Sequence, residues 1–275
     1  MPSSYRASFL CNLHYYYMKI LITGARGGIG LEAALQLAER GHEVIASVHL
    51  AESIPVVEAA ARENGVVLAV EKLDILDEKD RQRVAAYDID VLINNAAIGE
   101  SGSLFEVPLE RIRKSFETNV ISSIALSQQF AHSMVERGSG KIIFIGSLGG
   151  RLVVPFMGPY IMTKFALEGA VDTLRVELRP LGIKVCLVEP GAYATGFNEK
   201  MHATKYEWMD ESSLYNHHLS YIRLFEKGNI RIQSKRIHRI ARQIVKATEA
   251  KRPRARYIAP WWQGMGVRIL KILKQ

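Results

Sequence analysis

Met18-Lys19-Ile20-Leu21-Ile22-Thr23-Gly24-Ala25-Arg26-Gly27-Gly28-Ile29-Gly30 is the stretch on which the fold turns. Residues 18 to 23 are a short apolar run rich in β-formers, and a helical pattern follows through Leu31, Ala34, Leu35, Leu37 and Ala38. Between them Gly24, Gly28 and Gly30 are spaced Gly-x-x-x-Gly-x-Gly. Strand, glycine turn and helix is the arrangement in which a pyrophosphate rests on a helix N-terminus. Glycines let the backbone come close, and the first N–H groups of the helix face the anion. A bare structural βα connection has the same outline, so the turn needs support from the rest of the chain.

Outward from this turn, apolar runs near 19–23, 43–48, 66–70, 90–93, 141–146, 183–188 and 256–259 read as strands. Helical patterns fall between them, near 28–40, 52–63, 77–86, 108–137, 159–179 and 235–248. The alternation predicts an α/β fold, a doubly wound Rossmann-type parallel sheet of about seven strands with helices on both faces. Right-handed crossovers then bring every strand's C-terminal end to one edge, where ligands bind at the reversal of strand order.

The chemistry-bearing residues lie just past those ends. Asp74 and Ile75 follow the third strand, Asn94-Asn95-Ala96-Ala97 closes the fourth, and Asn119 lies in the long helix beyond. Ser147 ends the fifth strand, and Glu189-Pro190-Gly191 ends the sixth, with Thr195 beyond. Tyr160 and Lys164 stand four residues apart in a helical pattern, so they share a face. A free phenol titrates near pH ~10, too high for proton exchange at neutral pH, and a nearby ammonium lowers it. Such a pair can move a proton to or from an alcohol oxygen. By itself Tyr-x-x-x-Lys is also an ordinary solvated helix face.

In order and spacing these motifs resemble the short-chain dehydrogenase/reductase family, in its single-domain form, strongly over residues 18 to about 200. Ala97 departs from it, standing where the family usually has glycine. The resemblance implies hydride transfer between a nicotinamide and a carbonyl or alcohol carbon. Tyr160 is then the general acid or base, Lys164 depresses its pKa and holds the ribose, and Ser147 hydrogen-bonds the reacting oxygen. Asn119 anchors a proton-relaying water. Gly24, Arg26, Gly28, Ile29, Gly30, His49, Asp74, Ile75, Asn95 and Ala96 contact the dinucleotide, and Pro190, Gly191 and Thr195 flank its carboxamide. A cofactor-binding regulator that does no chemistry is the alternative. It would be favoured by damage to Ser147, Tyr160 or Lys164, and all three are intact.

The end of the second strand, Ala46-Ser47-Val48-His49-Leu50, bears on which nicotinamide cofactor binds. An NAD enzyme usually places a carboxylate there for the ribose 2′-hydroxyl. Val48 occupies that place, and Arg26, helped by His49, can pair with a 2′-phosphate. NADP(H) is therefore favoured, while Glu52 keeps NAD(H) open.

At 275 residues the chain suits one α/β domain over 18–275, with 1–17 set aside as an upstream mis-start or a disordered tail. The charge of +8 is spread out until the last forty residues and fits a phosphate-bearing cofactor, so no nucleic-acid partner is expected. Cys11 and Cys186 make no disulfide framework, which points to a reducing, cytoplasmic setting. The histidines show no metal-ligand pattern and no metal is expected. Residues 196–230 break the alternation and read as a substrate loop, whose aromatic content suits an apolar or ring-bearing small-molecule carbonyl or alcohol. On the helix of Tyr160, an outer face of Phe165, Leu167, Val171, Leu174 and Leu178 predicts a homo-oligomer. The C-terminal Trp261, Trp262, Val267, Ile269, Leu270, Ile272 and Leu273 mix with Arg268, Lys271 and Lys274. Such a basic amphipathic segment lies on a bilayer or packs on its own domain or a partner subunit, and packing is the preferred reading.

Overall fold

Alternation along each strand sends successive side chains to opposite faces, and here both faces are buried. In β1 (Lys19–Ile22), Ile20 and Ile22 enter one core and Leu21 the other. Val44, Ala46 and Val48 of β2 (Glu43–Val48) face the first core while Ile45 faces the second. β4 (Val91–Asn94), β5 (Gly140–Ile145) and β6 (Ile183–Pro190) divide in the same way. The first core is closed by α1 (Gly28–Glu39), α2 (Ile54–Glu63) and α9 (His238–Glu249). The second is closed by α3 (Glu78–Ala85), α5 (Ser122–Glu136) and α6 (Gly158–Glu177).

The computed structural model describes residues 17–273, so Cys11 and residues 1–16 lie outside it. Among the described residues, with β3 at Ala69–Lys72 and β7 at Arg256–Ala259, seven strands form one sheet in the order β3-β2-β1-β4-β5-β6-β7, with every pairing parallel. The order reverses between β1 and β4, which opens the crevice expected to take a ligand.

Some boundaries differ from the sequence reading. β3 is Ala69–Lys72 rather than 66–70, because Val66 is still tied to α2 by its N–H to Ala61 O at 3.0 Å and Gly65 has turned the chain at φ +66°. The run read as one helix over 108–137 contains α4 (Leu109–Phe116) and α5, joined by a π turn at Glu117–Ile121. The segment after β6 is also more ordered than a loop, with α7 (Phe197–Ala203) and α8 (Leu219–Arg231). Beyond β7 (Arg256–Ala259) the chain ends its described part in α10 (Trp261–Leu273).

The outer face read on α6 is corrected. Leu167 and Val171 are buried against the chain's own sheet and Leu174 and Leu178 pack on the same core, leaving only Phe165 of that set exposed. Hydrophobic period alone does not tell an outer face from an inner one.

Candidate active site

At the reversal of strand order the backbone itself makes the surface. Gly24 has φ +67°, and a Cβ there would stand 2.8 Å from Ala96 Cα. A Cβ on Gly30 would meet Asn95 Nδ2 at 2.5 Å and Gly24 O at 2.8 Å. Thr23 Oγ1 accepts from the N–H groups of Asn95 and Ala96 at 2.9 and 3.0 Å, and Asn95 Nδ2 donates back to Thr23 O and Gly24 O at 2.8 and 3.0 Å. The Asn95 side chain is thus a brace for the turn. α1 has Gly27 at its N-cap, no side-chain cap and no acidic residue in its first turn, and its first residues, with their unpaired helical N–H groups, line the cavity. A narrow, Cβ-free cradle at an uncapped helix N-terminus fits a pyrophosphate.

Beside it, Val48 is fully buried in the first core, so its side chain does not occupy the position assigned to it from sequence. The residue that faces the cavity there is His49, 65% exposed, with Nδ1 3.5 Å from Asp74 Oδ1. Arg26 is exposed on the same rim, and Glu52 does not line the cavity. No carboxylate stands at the end of β2. Asp74, across the rim, is partly engaged by the Leu76 N–H at 2.9 Å.

Tyr160 occupies the first turn of α6, opened by Pro159, a residue suited to helix starts. Lys164, one turn on, donates from Nζ to Ile145 O at 2.9 Å and lies 5.6 Å from the Tyr160 ring centroid. Both are buried. Burial pushes the phenol up to about 12, and a hydrogen bond with Ser147 offsets only part of that. Burial likewise pushes the Lys164 ammonium down to about 8. The expected depression of the phenol by Lys164 is not found: desolvation dominates, and the ammonium is turned toward a carbonyl of β5. Ser147 Oγ also accepts from Gly149 N–H at 3.0 Å.

Asn119 is placed differently from the other site residues and does not line the cavity. Within the π turn its Oδ1 accepts from Ile98 N–H at 2.8 Å, and its Nδ2 donates to Ile98 O and Thr163 Oγ1 at 2.9 and 3.1 Å. It ties the exit of β4 to the residue before Lys164. The remaining expected residues, from Gly24, Arg26, Gly28 and Ile29 to Pro190, Gly191 and Thr195, line one cavity of about 1030 Å³. That is above the ~300–1,000 Å³ usual for one drug-sized ligand.

Part of the wall comes from the segment read as a substrate loop, and part, on α10, was not anticipated. Phe197 of α7 packs its ring 5.6 Å from that of Tyr160, and Asn229 of α8 also faces inward. α10 contributes Trp262, Gln263, Val267 and Leu270. Gln263 Oε1 accepts from Ala192 N–H at 2.7 Å and its Nε2 donates to Ile232 O at 2.9 Å, fastening α10 to both the exit of β6 and the end of α8. On the far side, Glu106 accepts from Leu214 N–H at 2.6 Å and Ser101 N–H donates to Thr204 Oγ1 at 3.0 Å. Phe156, at φ +63°, is enclosed by the rings of Tyr215, Tyr221 and Phe225. The 196–230 segment is therefore a cap anchored at both flanks. The only sequence signal for its α10 wall was the apolar period that had two readings above.

Comparison with known proteins agrees with this geometry. A family model described as short chain dehydrogenase matches residues 18–206. An uncharacterized oxidoreductase, YusZ of Bacillus subtilis, is 38% identical over 182 residues, 64% of this chain and 65% of that protein. Human 17-beta-hydroxysteroid dehydrogenase type 1 is 31% identical over 249 residues, 86% of this chain and 76% of that one. A short-chain dehydrogenase from Streptomyces avermitilis superposes with a TM-score of 0.76 at 26% identity, covering 94% of each chain.

Proposed function

This chain belongs to the short-chain dehydrogenases, and from that premise we propose an NADP(H)-dependent oxidoreductase acting on an apolar carbonyl or secondary alcohol. The observation that carries the reading is convergence: Ser147, Tyr160 and Lys164 border the same cavity as the glycine cradle. Gly24, Gly28 and Gly30 would admit the pyrophosphate, and Lys164 would hold the nicotinamide ribose. When bound, the nicotinamide supplies or accepts the hydride.

With its pKa pushed up to about 12, Tyr160 carries its proton at neutral pH and is ready to donate it to a carbonyl oxygen. Ser147 would donate a hydrogen bond to the same oxygen as charge develops, a contribution of a few kcal/mol for a preorganised donor. Lys164, titrating at about 8, is the nearby group able to return a proton to the phenol. Asn119, through Ile98 and Thr163, would act as a positioning residue for both. Arg26 and His49 would meet a 2′-phosphate at the end of β2, which itself carries no carboxylate, with Asp74 across the rim 3.5 Å from His49 Nδ1. The substrate end is walled by Val154, Met157, Phe197, Ile232, Trp262 and Leu270, which suits a ring or chain skeleton like that named for the hydroxysteroid relative.

Cofactor-fluorescence titration followed by a panel of apolar ketones, aldehydes and alcohols tests this. NADPH should bind more tightly than NADH, and Arg26→Ala should narrow the gap by about 1–3 kcal/mol. Equal or tighter NADH binding overturns the cofactor assignment. Cofactor binding with no turnover across the panel favours the silent regulator instead.

A further inference from the structure

α10 carries two apolar faces, and only one is used in packing. Gln263, Gly264 and Val267 are buried, while Gly266 and Leu270 turn toward the cavity. At 3.6 residues per turn, Trp261, Met265, Ile269 and Ile272 fall on another face as one stripe, with Trp262 at its edge. The four are 71%, 48%, 52% and 72% exposed. Arg268, exposed, borders the stripe, and the sequence adds Lys271 and Lys274 with no acidic residue between 261 and 275. Trp262 and Leu270, each about half-exposed, belong both to this surface and to the cavity wall. Ile232, 48% exposed and fastened to α10 through Gln263, completes an apolar rim at the cavity mouth.

We propose that the α10 stripe docks on an anionic lipid bilayer and sets the cavity mouth against the membrane surface. Tryptophan and isoleucine beside arginine and lysine is the composition of an interfacial helix: the apolar side enters the acyl boundary and the cations meet lipid phosphates. Among the described residues no helix is long and apolar enough to cross a membrane, so the helix lies along the surface. Charge argues for lipid over a second copy of the chain. A two-fold interface pairs a patch with itself, which would bring the Arg268 cations of the two copies together. An anionic bilayer complements them, and the chain as a whole carries +8. Delivery of an apolar substrate through the rim rests on the function proposed above. The docking does not, so binding measured without cofactor or substrate separates the failure of one from the failure of the other.

The test is co-sedimentation of the full chain with vesicles of phosphatidylcholine, with or without phosphatidylserine, followed also by tryptophan fluorescence. Binding should require phosphatidylserine, weaken with salt, and shift tryptophan emission to the blue. The Trp261→Ser/Ile269→Ser double variant should bind about tenfold or more weakly, since both positions are exposed and outside the cavity. Arg268→Glu should weaken binding at low salt most strongly. Absence of wild-type binding at low salt, or undiminished binding by the double variant, overturns the proposal. So does a wild-type dimer in light scattering that the double variant converts to monomer, because a second copy would then cover the stripe.

Discussion

The two ends of the cavity are built by different means. At the proposed phosphate end the wall is backbone: Gly24 and Gly30 stand so close to Ala96 and Asn95 that no side chain fits. At the proposed substrate end the wall is side chain, Phe197 of α7, Ile232 just past α8, and Trp262 and Leu270 of α10, held by distant hydrogen bonds such as Glu106 to Leu214 and Gln263 to Ile232. Close backbone approach narrows the choice of residue to glycine, whereas an apolar wall can be assembled from many side chains. Tyr160 and Lys164 lie where the two ends meet.

The sharpest way to break this contrast is at Gly30. We expect Gly30→Val to abolish cofactor binding, because the added carbons would collide with Asn95 Nδ2 and Gly24 O and force the Thr23–Asn95 brace apart. Overpacking of this kind costs ~1–3 kcal/mol or more, so thermal stability should fall as well. Retained NADPH affinity, by fluorescence titration, would show the cradle to be adaptable.

The substrate end should respond more gently. Gln263→Ala leaves Ala192 N–H and Ile232 O without their partner, a loss of about 1–3 kcal/mol if water does not replace it. We expect KM for a carbonyl substrate to rise more than kcat falls, with a lower midpoint of thermal unfolding. An unchanged KM would mean that α10 does not support the cap.

The smallest effect concerns the pair between the two ends. Lys164 moves from its ordinary 10.5 to about 8 on folding, so between those values the unfolded chain binds more protons and stability rises with pH. Below about pH 8 both states are protonated and the fold bears the full cost of the buried charge. Tyr160, raised from 10.0 to about 12, acts in the opposite sense above pH 10. Urea unfolding at pH 8 and 9.5 should show wild type gaining up to roughly 1.4 kcal/mol per pH unit relative to Lys164→Met. Lys141, also held at about 8, has the same sign and cancels in that difference. Parallel pH profiles for the two proteins would contradict the burial assigned to Lys164.

What was legible in the sequence follows the same division. The sheet, its order of motifs and the tight glycine turn could be read because alternation, glycine spacing and strand ends are local signals. Val48 was misplaced because a strand's period does not say where its last inward residue stops; the exposed position is His49. The α6 face was misread because Leu167 and Val171 serve the core, which only the sheet beneath them reveals. The anchoring of the cap was opaque because Glu106, Thr204, Gln263 and Phe156 act through partners far away in sequence.

Proton transfer by Tyr160 is the claim on which the rest depends, and single-turnover hydride transfer in Tyr160→Phe measures it most directly. The ring remains, with its contact to Phe197, and only the hydroxyl is lost. Cofactor affinity should stay nearly unchanged while the rate falls by ~10²–10⁴-fold. Retention of most of the wild-type rate would mean that another group carries the proton.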